Sequence, residues 1–121
     1  MHQIVFNEIS ASEVSAIPTL EQLELISGFR VTEEFLSGKE EDPAFGVIER
    51  DGRRIFRYRS KDYRIYFTVE EGSVVVQRVL HADSLKDFMF RANMGIQEDH
   101  ALGQSRSFWS LIEAGENAPR K

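Results

Sequence analysis

The spacing of apolar positions changes once along the chain, near residue 45. Before that point they fall mostly at helical intervals; after it they alternate with polar ones through four successive segments. HQIVFNEI, residues 2–9, alternates weakly and is rich in β-formers, which predicts an opening strand. Residues 10–18 show no clear period and read as a loop or a short turn of helix. Thr19 caps a predicted helix carrying Leu20, Leu23, Leu25 and Ile26, and Gly28 stops it. Thr32 opens a second short helix, with Glu33 and Glu34 at its positive end and Gly38 as the stop. KEEDP, residues 39–43, is a charged connector.

FGVIER (45–50), Asp51-Gly52 and RRIFRYRS (53–60) form the strongest hairpin signal, because Asp-Gly suits a turn with positive φ at both central residues. YRIYFTVE (63–70) and SVVVQRVLH (73–81) complete a meander, with turns at Lys61-Asp62 and Glu71-Gly72. A helix over 84–93 follows, capped by Asp83 or Ser84 and carrying Leu85, Phe88, Met89 and Ala92. Residues 97–103 read as a polar linker, and 105–114 as an amphipathic helix bearing Phe108, Trp109, Leu111 and Ile112. The tail GENAPRK is expected to fray. The predicted fold is α+β: an N-terminal strand, a short helical hairpin, an antiparallel four-stranded meander and C-terminal helices. Residues 1–96 make the main domain, and 97–121 an extension packed on it.

Composition narrows the field. One domain fits 121 residues, and the absence of Cys removes disulfides, thiolate zinc sites and a Cys nucleophile. His2, His81 and His100 lack metal-ligand spacing and no glycine loop is built to cradle phosphate, so neither metal nor cofactor is expected. No apolar run approaches the ~20 residues of a membrane span and no leader opens the chain, so the expectation is a cytoplasmic protein without a membrane partner. A net charge of -5 argues against nucleic acid, but it is unevenly spread. Residues 1–45 carry -7, residues 46–96 carry +3 and residues 97–121 carry -1. Seven of the bases lie between Arg50 and Arg64, and local field decides where an anion docks.

Register decides which of these share a face, since a slip of one residue reverses every side chain. With a two-residue loop at Lys61-Asp62, Arg59 faces Arg64, Arg57 faces Tyr66 and Phe56 faces Phe67. One face then holds Phe56, Tyr58, Ile65 and Phe67, and the other Arg57, Arg59, Arg64, Tyr66 and Thr68. A three-residue loop would mix arginines into the apolar face, so burial favours the first register. It places Arg59 against Arg64, which repel. Such a face either receives carboxylates, with Glu49, Asp51 and Glu70 as candidates, or is left for an anion; guanidinium forks fit phosphate, and Tyr66 offers a ring or a phenolic donor. Arg78 would meet Ile65 on the apolar face if Glu71-Gly72 is a strict two-residue loop. A one-residue shift, with a bulge at or beside Gly72, would move it toward Arg64, and the cost of burying an unpaired guanidinium favours the shift. His81 ends the last strand, and imidazole is the side chain that exchanges protons near neutral pH.

Residues 45–81, FGVIERDGRRIFRYRSKDYRIYFTVEEGSVVVQRVLH, resemble the RelE/ParE superfamily of bacterial type II toxins. The resemblance rests on Arg57-Tyr58-Arg59, the Lys61-Asp62 turn and Tyr63-Arg64-Ile65, followed by an acidic turn and a valine-rich strand. It implies a ribosome-dependent mRNA endonuclease in which the RNA 2′-OH attacks the adjacent phosphate without metal. Arg64 would stabilise charge on the scissile phosphate, His81 would transfer protons, and Arg78 lies near a position often basic in the family. Arg57, Arg59, Lys61 and Tyr66 would hold RNA. The implied partners are a cognate antitoxin protein, the ribosome and mRNA. The chain departs from the family in its acidity, in lacking the Tyr that often follows the last strand, and in residues 97–121. The alternatives are a non-catalytic member of the fold that binds protein, a ParE-like topoisomerase poison, and a single-stranded RNA-binding domain.

Overall fold

The computed structural model describes residues 3–38, 42–89 and 98–121. It is an α+β structure built on a five-stranded mixed sheet. Strand β1 (Gln3–Phe6) leads into helices α1 (Glu8–Ser15), α2 (Thr19–Gly28) and α3 (Glu33–Leu36). Strands β2 (Phe45–Arg50), β3 (Arg53–Ser60), β4 (Tyr63–Glu70) and β5 (Ser73–His81) form the expected meander. Helices α4 (Ala82–Met89), α5 (Glu98–Gly103) and α6 (Arg106–Asn117) complete the chain. The strand order is β1-β5-β4-β3-β2, with β1 parallel to β5 and every other pair antiparallel.

The hairpin chemistry acts as expected. Asp51 and Gly52 both adopt positive φ, at 51° and 82°. The β3–β4 register pairs Arg59 with Arg64, Arg57 with Tyr66 and Phe56 with Phe67. Tyr58, Ile65 and Phe67 accordingly share one core with Val74, Val76 and Val79 of β5, with Leu25 of α2 and with Ile17 and Phe29 on either side of that helix. Two sequence expectations on this side need correction. Residues 8–15 form a helix, because Asn7 and Ser10 cap one another reciprocally in a capping box. The opening strand is only four residues long. On α2, Leu25 is buried while Leu20 and Leu23 stay 81% and 60% exposed.

The opposite face of the sheet is a second core and not a solvated surface. Ile48, Ile55, Tyr66 and Leu80 meet Leu85, Leu102, Phe108, Trp109 and Ile112, all buried. Residues 98–103 are a helix where a polar linker was expected, and α6 runs on to Asn117. The tail does not fray: Lys121 N–H donates to the Phe6 carbonyl and Glu8 N–H to that of Pro119, at 2.9 Å each. The connector residues 39–41, residues 90–93 of the expected fourth helix and the expected domain boundary at 96–97 lie outside the described residues.

A bulge sets the parity of β5. Phe67 pairs with Val76 and Tyr66 with Arg78, so Gln77 is the extra residue. The Glu71-Gly72 turn is a strict two-residue loop, Glu70 pairing with Ser73, so the expected shift occurs mid-strand and not beside Gly72. The bulged carbonyls are held from outside. The Asn7 side-chain amide donates to Gln77 O at 3.0 Å and to Gly115 O at 2.8 Å, and Ser10 Oγ donates to Val76 O at 2.8 Å. Gly115 lets α6 lie directly on this bulge, since a Cβ there would collide with the Gln77 carbonyl.

Gly115→Ala tests that seat. The helix gains about 1 kcal/mol of propensity, but backbone cannot rotate aside as a side chain would, and overpacking costs roughly 1–3 kcal/mol. The expected result is a lower urea midpoint, a net loss of up to about 2 kcal/mol; a higher midpoint contradicts the packing of α6 on β5.

Candidate anion-binding face

Alternation along β3 and β4 brings Arg57, Arg59, Arg64 and Tyr66 to the second face, as the register requires. The carboxylates that meet them are not Glu49, Asp51 or Glu70, which face Arg54, Arg50 and Arg120. They come from the first two residues of α5. Arg57 Nε and Nη2 donate to Asp99 at 3.1 and 2.7 Å, and Arg57 Nη1 donates to the Ala44 carbonyl at 2.7 Å. Arg64 Nε and Nη2 donate to Glu98 at 2.8 and 3.1 Å, and its Nη1 to the Lys61 carbonyl at 2.7 Å. Both are two-pronged forks, the geometry in which guanidinium also takes phosphate. They are nearly closed to water: the Arg57 and Arg64 side chains are 6% and 9% exposed.

Gly46 on β2 makes room for the first fork, because a Cβ there would strike Arg57 Nη2 and lie 2.6 Å from Asp99 Oδ2. Sequence reading passed over this residue, although an isolated glycine inside a strand signals a close approach of this kind. Gly103 plays the same part for α5, whose close packing on β2 leaves an added Cβ 3.2 Å from the Glu49 carbonyl. Between the forks and the edge of the sheet lies a cleft of about 310 Å³ lined by Arg57, Arg59, Glu98 and Asp99. Arg59 is exposed there and has no hydrogen-bond or ion-pair partner among the described residues.

Tyr66 lies under this cluster, fully buried, and its hydroxyl is the one buried side-chain polar atom among the described residues without a hydrogen bond. Burial raises its pKa well above the usual phenol range, with the Glu98 carboxylate adding to the effect and Arg64 opposing it. Its ring is not available to stack on a base, since Phe108 packs edge-on against it at 5.0 Å.

The remaining candidates lie elsewhere. Arg78 does reach the second face, but it forks onto Glu13 of α1, Nη2 to Oε2 at 2.7 Å, and donates through Nη1 to the Leu111 carbonyl at 3.0 Å. His81 pairs with Tyr63 and so points to the face opposite Arg64. Its Nδ1 accepts from Asp83 N–H at 3.0 Å, its ring meets Tyr63 at 5.0 Å, and it lines a small cleft with Glu21, Glu24 and Lys61. Lys61 is at the turn, bonded to both Glu24 oxygens at 2.9 Å. The structure therefore brings Arg57, Arg59, Arg64 and Tyr66 together and leaves His81, Lys61 and Arg78 out of that group.

Compared with known proteins, the chain matches no family model and no curated sequence. No described helix is long and apolar enough to cross a membrane.

The unpaired Tyr66 hydroxyl gives a direct check. Deleting an orphaned buried hydroxyl removes a desolvation penalty of roughly 1–3 kcal/mol and loses no bond. Tyr66→Phe is expected to raise the urea midpoint, by about 1 kcal/mol of stability after the small cavity is counted. The raised Tyr66 pKa has a matching consequence. The unfolded chain releases this proton first, so stability falls as pH rises above about 10, and Tyr66→Phe should flatten that decline. A destabilised variant with the same alkaline profile would mean that the hydroxyl is satisfied.

Proposed function

We propose that the chain is a RelE/ParE-type toxin that engages RNA phosphate through Arg57, Arg59 and Arg64, with α5 as an internal latch on that face. The observation carrying this reading is that both guanidinium forks take their carboxylates from one six-residue helix and not from the sheet that supports them. The sheet presents the cations; Glu98 and Asp99 stand where an anionic ligand would. The order strand, three helices, four-stranded meander and C-terminal helices is compatible with the family reading. On it, Arg64 stabilises charge at the scissile phosphate, Arg57 and Arg59 orient the strand, and a cognate antitoxin covers the same face. His81 has no part in this arrangement with the sheet between it and Arg64, so proton transfer falls to the RNA or the ribosome.

Lifting α5 exposes Leu102, roughly 2 kcal/mol, and breaks two charge-assisted forks of roughly 1–3 kcal/mol each. The total is about 5 kcal/mol, which leaves the face open in roughly one molecule in several thousand and weakens apparent affinity by the same factor. A protein-binding module without nuclease activity is the second reading. The exposed Leu20 and Leu23 on α2 favour it, as an apolar patch for a partner to cover.

The experiment is expression in a bacterium with RNA binding measured in parallel. The intact chain is expected to slow growth, and Arg64→Ala to abolish the effect. Glu98→Gln with Asp99→Asn, shown folded by circular dichroism, should raise affinity for a single-stranded oligoribonucleotide at least tenfold, with steep salt dependence. No growth effect and no RNA binding by the folded double variant would leave the protein-binding module. Gyrase-linked DNA damage without mRNA cleavage would select the topoisomerase poison.

A further inference from the structure

A second cleft, of about 330 Å³, opens between the β2–β3 turn and the start of α6. Three guanidiniums converge on it from three elements: Arg50 at the end of β2, Arg53 at the start of β3 and Arg106 at the first position of α6. Trp109 and Ser110 complete the cationic side. None of these residues takes part in the Arg57–Arg64 cluster, and the toxin reading makes no use of them.

Each guanidinium is prepared differently. Arg53 lies over the Trp109 indole, 4.8 Å from the ring centroid, and donates to Glu113 and Glu116 at 2.9 Å each. Those bonds use two of its five N–H groups and fix its plane without exhausting it. Arg50 is tied through Nη1 to the Gln104 carbonyl at 3.0 Å. Its nearest acid is Asp51, 3.6 Å from Nε and 90% exposed, too far for a hydrogen bond and free to turn into solvent. Arg106 is exposed with no partner among the described residues. Beside it, the first-turn N–H groups of Arg106 and Ser107 have no intrahelical acceptor, as at every helix start. The lining carries three positive charges against the carboxylates of Asp51 and Glu113, and Glu116 beside it also bonds Arg53, so Arg106 is the guanidinium left without an acid.

We propose that this cleft binds a phosphate group. Donors arriving from three separate elements suit a tetrahedral oxyanion better than a flat carboxylate, which one guanidinium satisfies alone. Arg106 supplies the free fork, Arg50 and Arg53 supply their remaining N–H groups, and the Ser110 hydroxyl donates from the helix. The phosphate belongs either to a small nucleotide or to a polynucleotide backbone.

Trp109 is the chain's only tryptophan and lines this cleft; because its indole also bonds the Gly103 carbonyl of α5, the Arg106 variant is what assigns a fluorescence change to the cleft. Titrating the full chain with inorganic phosphate should give a saturable change that chloride at matched ionic strength does not. Arg106→Gln, which removes an exposed side chain without disturbing the core, should raise the phosphate Kd at least tenfold. Arg120→Gln, an equal loss of charge at an exposed pair with Glu70, should leave it unchanged. A single-stranded oligoribonucleotide lacking terminal phosphates that binds more tightly than inorganic phosphate, and depends on Arg106, identifies the backbone as the source. Binding of uridine monophosphate but not of that oligonucleotide identifies the small ligand. A response no larger than that to chloride, or an unchanged titration in Arg106→Gln, overturns the proposal.

Discussion

The second face of the sheet depends on two arginines being covered. Arg57 and Arg64 project from adjacent central strands among Ile55, Tyr66 and Leu80, where an unpaired charge costs several kcal/mol. Glu98 and Asp99 meet that cost, and because they are consecutive they do so from the start of a single short helix. Once α5 is fixed this way, Leu102 falls into the apolar part of the face and Trp109 Nε1–H finds the Gly103 carbonyl at 2.9 Å. The placement of α6 follows from that of α5. The same pairing that permits a core here also sets what an anionic ligand would have to displace on the proposed reading.

At the far end of α6 the constraint is geometric. Four strands of alternating sequence would give β5 one parity throughout, with Arg78 on the side of Val74 and Val76. The bulge at Gln77 reverses it, so that Val79 joins the first core and Arg78 the second face. A bulge leaves backbone groups without ladder partners, and buried ones must be satisfied elsewhere. Asn7 does this from the β1–α1 corner while bonding the last turn of α6, and Glu13 Oε1 accepts Val79 N–H at 3.0 Å beside its fork to Arg78. One buried asparagine thus ties the first strand, the irregular strand and the last helix together.

What the sequence made legible follows from how local each signal is. The meander, its Asp-Gly turn and the β3–β4 register were readable because hydrophobic alternation and a two-residue loop admit only one segregated solution. Helix α1 was not, since Asn7 and Ser10 cap it through side chains while its own residues carry no clear apolar stripe. Helix α5 was missed for a related reason. At six residues it is too short to show a period, and its acidic start looks like a solvated linker until the arginines it pairs with are placed. The grouping of Arg57, Arg59 and Arg64 was legible, whereas the separation of His81 depended on parity at a strand end, and the bulge made that parity unreadable. On α2 the helix itself was legible, but not which leucines face inward: Leu25 is buried while Leu20 and Leu23 stay exposed.

The net charge of this chain bears on function differently once the contacts are known. An acidic protein is a poor nucleic-acid binder on average, but here two of the acids are spent on the cations that would do the binding. Releasing Glu98 and Asp99 would swing them away from the face together with α5, changing the local charge by two units while the net charge stays the same. On the proposed reading, affinity for a polyanion would be governed by a conformational equilibrium and not by composition. A ligand shifts that equilibrium only through its preference for the open state, and a phosphate chain contacting all three arginines would have such a preference because Arg57 and Arg64 can take it only once α5 is lifted, whereas Arg59 is exposed in both states. Capture at Arg59 followed by exchange at the two forks is a stepwise route, in which no guanidinium need be stripped of one anion before the next is at hand.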